Sequence, residues 1–229
     1  MPVNPITASG SFVSATGTSL VTLSVNPTAI GGAMVFTMSF ISSGTVTGVS
    51  GGGCPASGSG TAGAWAQIAG PFQAFSGSAA VTMWMGTVTA TGSSTITASG
   101  TSLTNPQRLC CQQFTSGGGN GATWASDGSP GTKTNASSAT VTFPTLTPSG
   151  PLRMYIGYGL VASGGTTPIT SGYTMDLDAG SNPYMFNPNV STVQAPTCTQ
   201  TSAGLSGMIG ALITATNPTA RFAPFFGGM

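Results

Sequence analysis

The sequence predicts an all-β fold, an antiparallel β-sandwich of jelly-roll-like character, built as a single domain over residues 1–229. Three observations lead there. Strong helix formers are scarce: Glu is absent, Lys and Arg total 4, and Gly, Ser and Thr interrupt every helical window. β-Branched and aromatic runs recur along the chain, each bounded by Gly, Pro, Asn or Ser. In the longest of these runs apolar residues alternate with a period of two.

The first expected strand is Ser19–Asn26, where Val21, Leu23 and Val25 oppose Leu20, Thr22 and Ser24. In the next, Ala33–Ser42, Met34, Phe36, Met38 and Phe40 face away from Val35, Thr37, Ser39 and Ile41. Trp65–Ala69 and Ala79–Thr89 follow, the latter with Val81, Met83 and Met85 opposite Thr82 and Trp84. Ser94–Ser99 and Arg108–Thr115 complete the first half. The second half adds Ala139–Phe143, Leu152–Val161, Tyr173–Asp178, Pro183–Asn187 and Leu205–Thr216. Alternation of this kind sets one face on a core and leaves the other to water or to a neighbour. Short strands separated by turn-rich segments such as Ser50–Gly63, Ser116–Gly121 and Ala162–Thr167 suit a sandwich, jelly roll or barrel. If the chain divides, the Thr/Pro/Ser/Gly segment Thr145–Gly150 is the expected boundary; a single domain is preferred because neither half alone has a complete set of strands.

Composition narrows the function. Charged residues make up 3% of the chain, against about 25% in an average soluble domain. A hydrophobic fraction of 39% is too high for a disordered low-complexity chain. A net charge of +1 with dispersed cations argues against nucleic-acid binding and against anionic lipid surfaces. It also gives little protection from self-association, which suits a subunit packed in a repeating assembly. The start Met1-Pro2-Val3-Asn4-Pro5 has no secretory character, and the longest apolar stretch, Gly32 to Ile41, is too short to span a bilayer. The expectation is synthesis in a cytoplasm without membrane insertion.

Residues able to do chemistry are few. With no His and no Glu, general acid–base work would fall to three Asp, one Lys, and Tyr or Cys. Asp176 and Asp178 share a strand face, as a glycosidase pair or calcium ligands would require, but Asp-Leu-Asp before Ala-Gly-Ser-Asn reads better as a strand entering a turn. Asp127-Gly128 is a turn dipeptide, and Gly117–Gly121 lacks the Lys-Ser/Thr of a phosphate loop. Asn135-Ala136-Ser137 and Asn189-Val190-Ser191 match the glycosylation pattern, which carries little without a secretion signal. The cysteines Cys54, Cys110, Cys111 and Cys198 have no CxxC spacing. Buried free thiols are the favoured reading, with a Cys54–Cys198 bridge left open; Cys110 and Cys111, as strand neighbours, point to opposite faces. No catalytic, metal or cofactor site is expected.

Two groups of aromatics remain as candidate binding residues. Trp65, Trp84 and Trp124 would stack on sugar rings if exposed, although tryptophan on a strand is more often core. Phe222, Phe225 and Phe226 crowd the C-terminal stretch Arg221–Met229, a composition unsuited to a solvated tail. That stretch is expected to pack on its own domain or against a neighbouring subunit.

Four segments recur in order: Thr45–Gly53 (TVTGVSGGG), Trp65, Val81–Ala98 (VTMWMGTVTATGSSTITA) and Arg108–Thr115 (RLCCQQFT). Together, over about residues 16–146, they resemble a β-sandwich domain of structural and minor tail proteins from tailed phages of actinobacteria. Val49–Gly53 matches that family's V-x-G-x-G, Trp84-Met85-Gly86 its W-Y-G with Met for Tyr, and Gln112-Gln113-Phe114 its Q-E-F with Gln for the acid. The resemblance implies a virion location, on the head as decoration or on the tail, and carries over no catalytic residue. The expected function is therefore a non-enzymatic virion structural protein, homo-oligomeric and in contact with other virion proteins through apolar and β-sheet interfaces. The alternative is a host-cell-surface recognition module at the tail tip, binding glycan or lipid of the cell envelope.

Overall fold

The computed structural model describes residues 3–17, 21–40, 44–75, 79–103, 107–117 and 119–217. The interface candidates Phe222, Phe225 and Phe226 lie outside them. The fold is all-β, and every strand pairing is antiparallel.

The strands form three sheets. A central sheet has the order β1 (Ile6–Gly17), β8 (Gln107–Ser116), β3 (Ala33–Phe40), β6 (Ala79–Thr87), β5 (Ala66–Ala74). A small sheet has the order β2 (Thr22–Val25), β7 (Ser94–Thr101), β4 (Thr45–Gly51). The third runs β10 (Gly131–Thr142), β15 (Thr197–Thr216), β11 (Arg153–Val161), β14 (Pro183–Val190), β13 (Thr174–Leu177), with β9 (Thr123–Ser126) and β12 (Gly165–Pro168) also paired to β15.

Both faces of the central sheet are buried, so the sandwich has three layers. Met34, Phe36, Met38 and Phe40 of β3, with Trp84 and Cys111, pack against Leu23, Val25, Val46, Val49 and Ile96 of the small sheet. The opposite face sends Val35, Val81, Met83, Cys110 and Phe114 against Met154, Ile156, Tyr158, Phe186 and Ile209 of the third sheet. Phe114 and Phe186 meet edge-on across this second interface, with ring centroids 5.2 Å apart. The face expected to meet water or a neighbour is thus covered by the chain itself. The period-two pattern is correct, and Cys110 and Cys111 do enter different cores.

A third cluster lies on the outer face of the third sheet, where Phe143, Leu146, Tyr155, Tyr173, Met185 and Leu212 pack together. Glycine makes the fit: a Cβ at Gly157 would come within 2.6 Å of the Phe143 ring, so the ring lies directly on the backbone there. Leu146 is part of this cluster and exchanges backbone hydrogen bonds with Gln194, so the Thr145–Gly150 segment is stitched into the second half of the chain. Sheet membership changes earlier, between β8 and β9.

The sheet edges are guarded against strand addition. Pro71 and two register shifts interrupt β5, and β1 is shifted between Ser9 and Val13. Two shifts between Asn135 and Thr140 break β10. Ser57 caps β4, its N–H donating to Val49 O and its Oγ accepting from Val49 N–H, both at 2.9 Å. β2 and β13 are only 4 residues long.

Candidate functional site

Three of the four segments that carry the resemblance come together around Trp65. Gly51, Gly52 and Gly53 follow one another with φ of 78°, 67° and 73°, a left-handed run that L side chains resist. At Gly51 a Cβ would fall 1.9 Å from Thr95 O, so the turn is pressed onto β7. The Gly51 carbonyl accepts from Trp65 Nε1 at 2.9 Å, and Gly53 O accepts from the N–H groups of Thr89 and Ala90. Beneath the indole lies Gly86, where a Cβ would sit 2.8 Å from Trp65 Cδ2 and 3.0 Å from Cys54 Cβ. Phe36 meets Trp65 edge-on at 6.3 Å. The Gly-rich loop, Trp65, the Trp84–Gly86 strand and Ile96 therefore form one packed joint between the central and small sheets.

Gln113, at the acid position of the Q-E-F pattern, is an anchor. Its Oε1 accepts from Thr28 N–H at 2.9 Å and its Nε2 donates to Ala29 O at 2.9 Å, holding the loop between β2 and β3. A carboxylate here would lose the second bond, which accounts for an amide at this position.

All three tryptophans are interior: Trp65 is 2%, Trp84 6% and Trp124 8% exposed. Each indole N–H is used, on Gly51 O, Thr82 Oγ1 and Gly31 O respectively. Their candidacy as sugar-stacking residues, which required exposed faces, is corrected by this burial; the rings are spent on the cores, the position favoured for a strand tryptophan.

The two strand-sharing aspartates separate in role. Asp178 is buried at the end of β13, where its Oδ2 accepts from the Tyr158 hydroxyl at 2.7 Å. Its Oδ1 accepts from Gly180 N–H at 2.7 Å and Asn182 N–H at 2.9 Å, and Asn182 Nδ2 reaches both oxygens. The turn reading of Asp-Leu-Asp-Ala-Gly-Ser-Asn is therefore right, with Tyr158 as the partner that sequence alone did not supply. Ser39 Oγ lies 3.3 Å from the same hydroxyl, and Thr37 Oγ1 sits 2.7 Å from Cys110 Sγ, so a polar seam runs through the large core. Burial first, then the neighbouring Asp178, pushes the Tyr158 phenol well up from its ordinary value. Asp176 is half-buried, and burial raises its carboxyl. The Arg108 guanidinium lies on the backbone of Gly180, where a Cβ would fall 2.1 Å from Nε, and its Nη1 donates to Thr16 Oγ1.

Asp127 forms the ion pair with Arg153 at 3.1 Å. Ser149 reinforces it, its N–H donating to Oδ2 at 2.9 Å and its hydroxyl to Oδ1 at 2.5 Å. Burial raises the Asp127 carboxyl, but the two Ser149 bonds and the Arg153 charge outweigh it, and the net shift is downward. A carboxyl lowered on folding stabilises above its unfolded value, and the contribution disappears as pH falls through the folded value. The chain has no His or Glu, so this contribution stands out. Acidification below about pH 4 is expected to lower the melting temperature, and Asp127→Asn to flatten that part of the profile; thermal melts across pH 2–6 check it.

The four cysteines are free and buried, so the Cys54–Cys198 bridge is not formed. Burial pushes Cys54 and Cys198 up to about 12, and Cys110 and Cys111 well above the ordinary thiol value. The thiolate is the reactive form. A disulfide reagent at pH 8 is therefore expected to leave the native protein untouched and to titrate 4 thiols after denaturation.

Among the described residues, no group of three or more His, Cys, Asp or Glu is placed to hold a metal ion. No helix among them is long and apolar enough to cross a membrane. Two shallow concave features among the described residues are an open groove of ≈ 590 Å³ between β1 and β2 and a cleft of ≈ 160 Å³ beside β9. No protein-family model, curated protein or solved structure matches the chain.

Proposed function

We propose that this chain is a non-enzymatic structural subunit of a tailed-phage particle, present in many copies on the head or along the tail. The observation that carries the reading is the joint around Trp65. Three of the four segments on which the phage resemblance rests meet there and lock one sheet onto another, as a building block requires. The charge pattern supports it, because a subunit with a net charge of +1 meets copies of itself without long-range repulsion. Guarded edges favour association through sheet faces and chain termini over added strands.

The test is to locate the chain in intact particles by electron cryomicroscopy, with peptide mass spectrometry of purified particles for copy number. Many copies at a symmetric head or shaft position is the expected result. A few copies at the tail tip would favour the cell-surface recognition module instead, and absence from particles would overturn both.

A further inference from the structure

An asparagine degrades when the peptide nitrogen of the next residue attacks its side-chain amide, so the following residue largely sets the rate. Asn4, Asn26, Asn105, Asn182, Asn187 and Asn217 are each followed by proline, which has no N–H to give up and cannot start the reaction. Three of the chain's asparagines remain: Asn120, Asn135 and Asn189. Asn135 lies in β10 opposite Ser206, and its Nδ2 donates to Thr142 O at 2.9 Å and to Ser206 Oγ at 3.0 Å. Asn189 lies in β14, its Oδ1 accepting from Ile6 N–H at 3.3 Å and its Nδ2 donating to Ile6 O at 3.4 Å. Their successors, Ala136 and the β-branched Val190, carry side chains that crowd the attack.

Asn120 is placed differently. Its successor is Gly121, which is exposed and has no side chain to obstruct the approach. Both belong to the single 3-10 turn Gly119–Gly121 between β8 and β9, outside the ladders of the three sheets. The turn is closed by Ala122 N–H donating to Gly119 O at 3.4 Å, beyond the usual span of about 2.7–3.2 Å. At Gly119, whose φ is 62°, a Cβ would meet nothing within 4 Å. A turn held this loosely opens locally at low cost, and glycine on both sides of Asn120 eases the backbone rotation that the attack needs.

We infer that Asn120 is a site of spontaneous deamidation in the folded protein. The Gly121 nitrogen loses its proton and bonds to Cγ of Asn120, the Cγ–Nδ2 bond breaks, and ammonia leaves with that proton. Water then opens the five-membered succinimide at either carbonyl, leaving aspartate or isoaspartate. One water is consumed and one ammonia released. The new carboxylate takes the formal net charge of +1 to zero, a large change for a chain with three acidic side chains. The isoaspartate form also adds one carbon to the main chain where it passes from the central sheet to the third. The inference does not depend on the chain being a particle subunit.

The few cations divide the chain conveniently for the test. Trypsin places Asn120 on the fragment Leu109–Lys133 with no other asparagine, Asn135 on Thr134–Arg153, and Asn189 on Met154–Arg221. The native full chain is held at mildly alkaline pH and body temperature, sampled over weeks, then denatured, digested and read by tandem mass spectrometry. The amide-to-acid mass gain is expected at Asn120 at least an order of magnitude faster than at Asn135 or Asn189. Isoaspartate should exceed aspartate, and a new acidic band should appear on isoelectric focusing. Gly121→Ala is expected to slow the gain by a similar factor, and Asn120→Gln to abolish it. A gain spread evenly over the fragments, or one indifferent to Gly121→Ala, overturns the inference. So does a native rate far below that of the same chain in denaturant, which would mean that the turn shields the amide. That last comparison uses the unaltered chain alone and decides the matter if circular dichroism shows a variant to be unfolded.

Discussion

Replacing Trp65 by Ala is expected to destabilise the protein by about 3–5 kcal/mol, the range for deleting a large buried aromatic side chain. In a chain of this size each kcal/mol moves the melting temperature by roughly 2–4 °C, so the drop is on the order of 10 °C. The size of the effect comes from the position of the ring. It fills the space above Gly86, touches Phe36, and satisfies the Gly51 carbonyl in the middle of a left-handed glycine run. Removing it empties a cavity that the joint cannot close, because β7 presses on the other side of the same turn. Trp65→Phe keeps most of the bulk and loses the N–H bond, and is expected to cost less than half as much. Gly86→Ala presses a methyl group into the indole and is expected to cost about 1–3 kcal/mol by overpacking. Urea unfolding of the three variants checks the order; equal stability of Trp65→Ala and wild type would mean that the joint does not hold the small sheet.

Asp178→Ala is expected to cost about 3–5 kcal/mol, because it strands the donors that now converge on one carboxyl group. Gly180 N–H and Asn182 N–H lose their acceptor, and Tyr158 Oη keeps only the longer bond to Ser39 Oγ in the large core, away from water. Asp178→Asn keeps one acceptor oxygen and is expected to lose about half as much. Tyr158→Phe in the Asp178→Ala background removes one stranded donor, so the double variant is expected to be more stable than the sum of the two single losses predicts. Denaturant melts of the four proteins form the cycle. Additive losses would show that the tyrosine–aspartate contact contributes nothing of its own. The same variants bear on hydrolysis: if this carboxyl group is a turn fastener, Asp178→Asn changes stability and no activity.

Much of the fold is legible in the sequence because period-two patterns survive where side chains are large. β3 and β6 declare both faces through Met34, Phe36, Val35 and Trp84. The Cys110–Cys111 pair follows directly from strand geometry. The Ile6–Gly17 strand escapes notice because it is half-exposed, Ser- and Gly-rich and shifted in register, so no face carries an apolar run. β12 falls within an expected turn, and β10 begins at Gly131 rather than Ala139, since strands of Gly, Thr, Asn and Ser look like loops. The third layer has a sign in the sequence, namely that β3 and β6 are apolar on both faces, but the pattern alone does not say whether the second cover is the same chain or a neighbour. Trp124 shows the same limit: the sequence favours a core position for it but cannot supply its partner, Gly31 O, which lies 2.7 Å from the indole nitrogen.

The place of β15 in its sheet has a consequence for how the molecule is made. It is the last strand described, yet it lies between β10 and β11 and also holds β9 and β12. A ribosome releases the whole central sheet once Ser116 is out, but the sheet that covers its larger apolar face has no middle until Thr197–Thr216 emerges. At ordinary translation speeds the intervening stretch of about 80 residues takes roughly 4–16 s to synthesise. During that interval Val35, Val81, Met83 and Phe114 have no lasting cover, and nascent chains on one message can find each other through them. Yield of well-formed protein is therefore governed by how quickly the last twenty residues of sheet arrive, and slowing translation across residues 117–196 is the change that would harm it most.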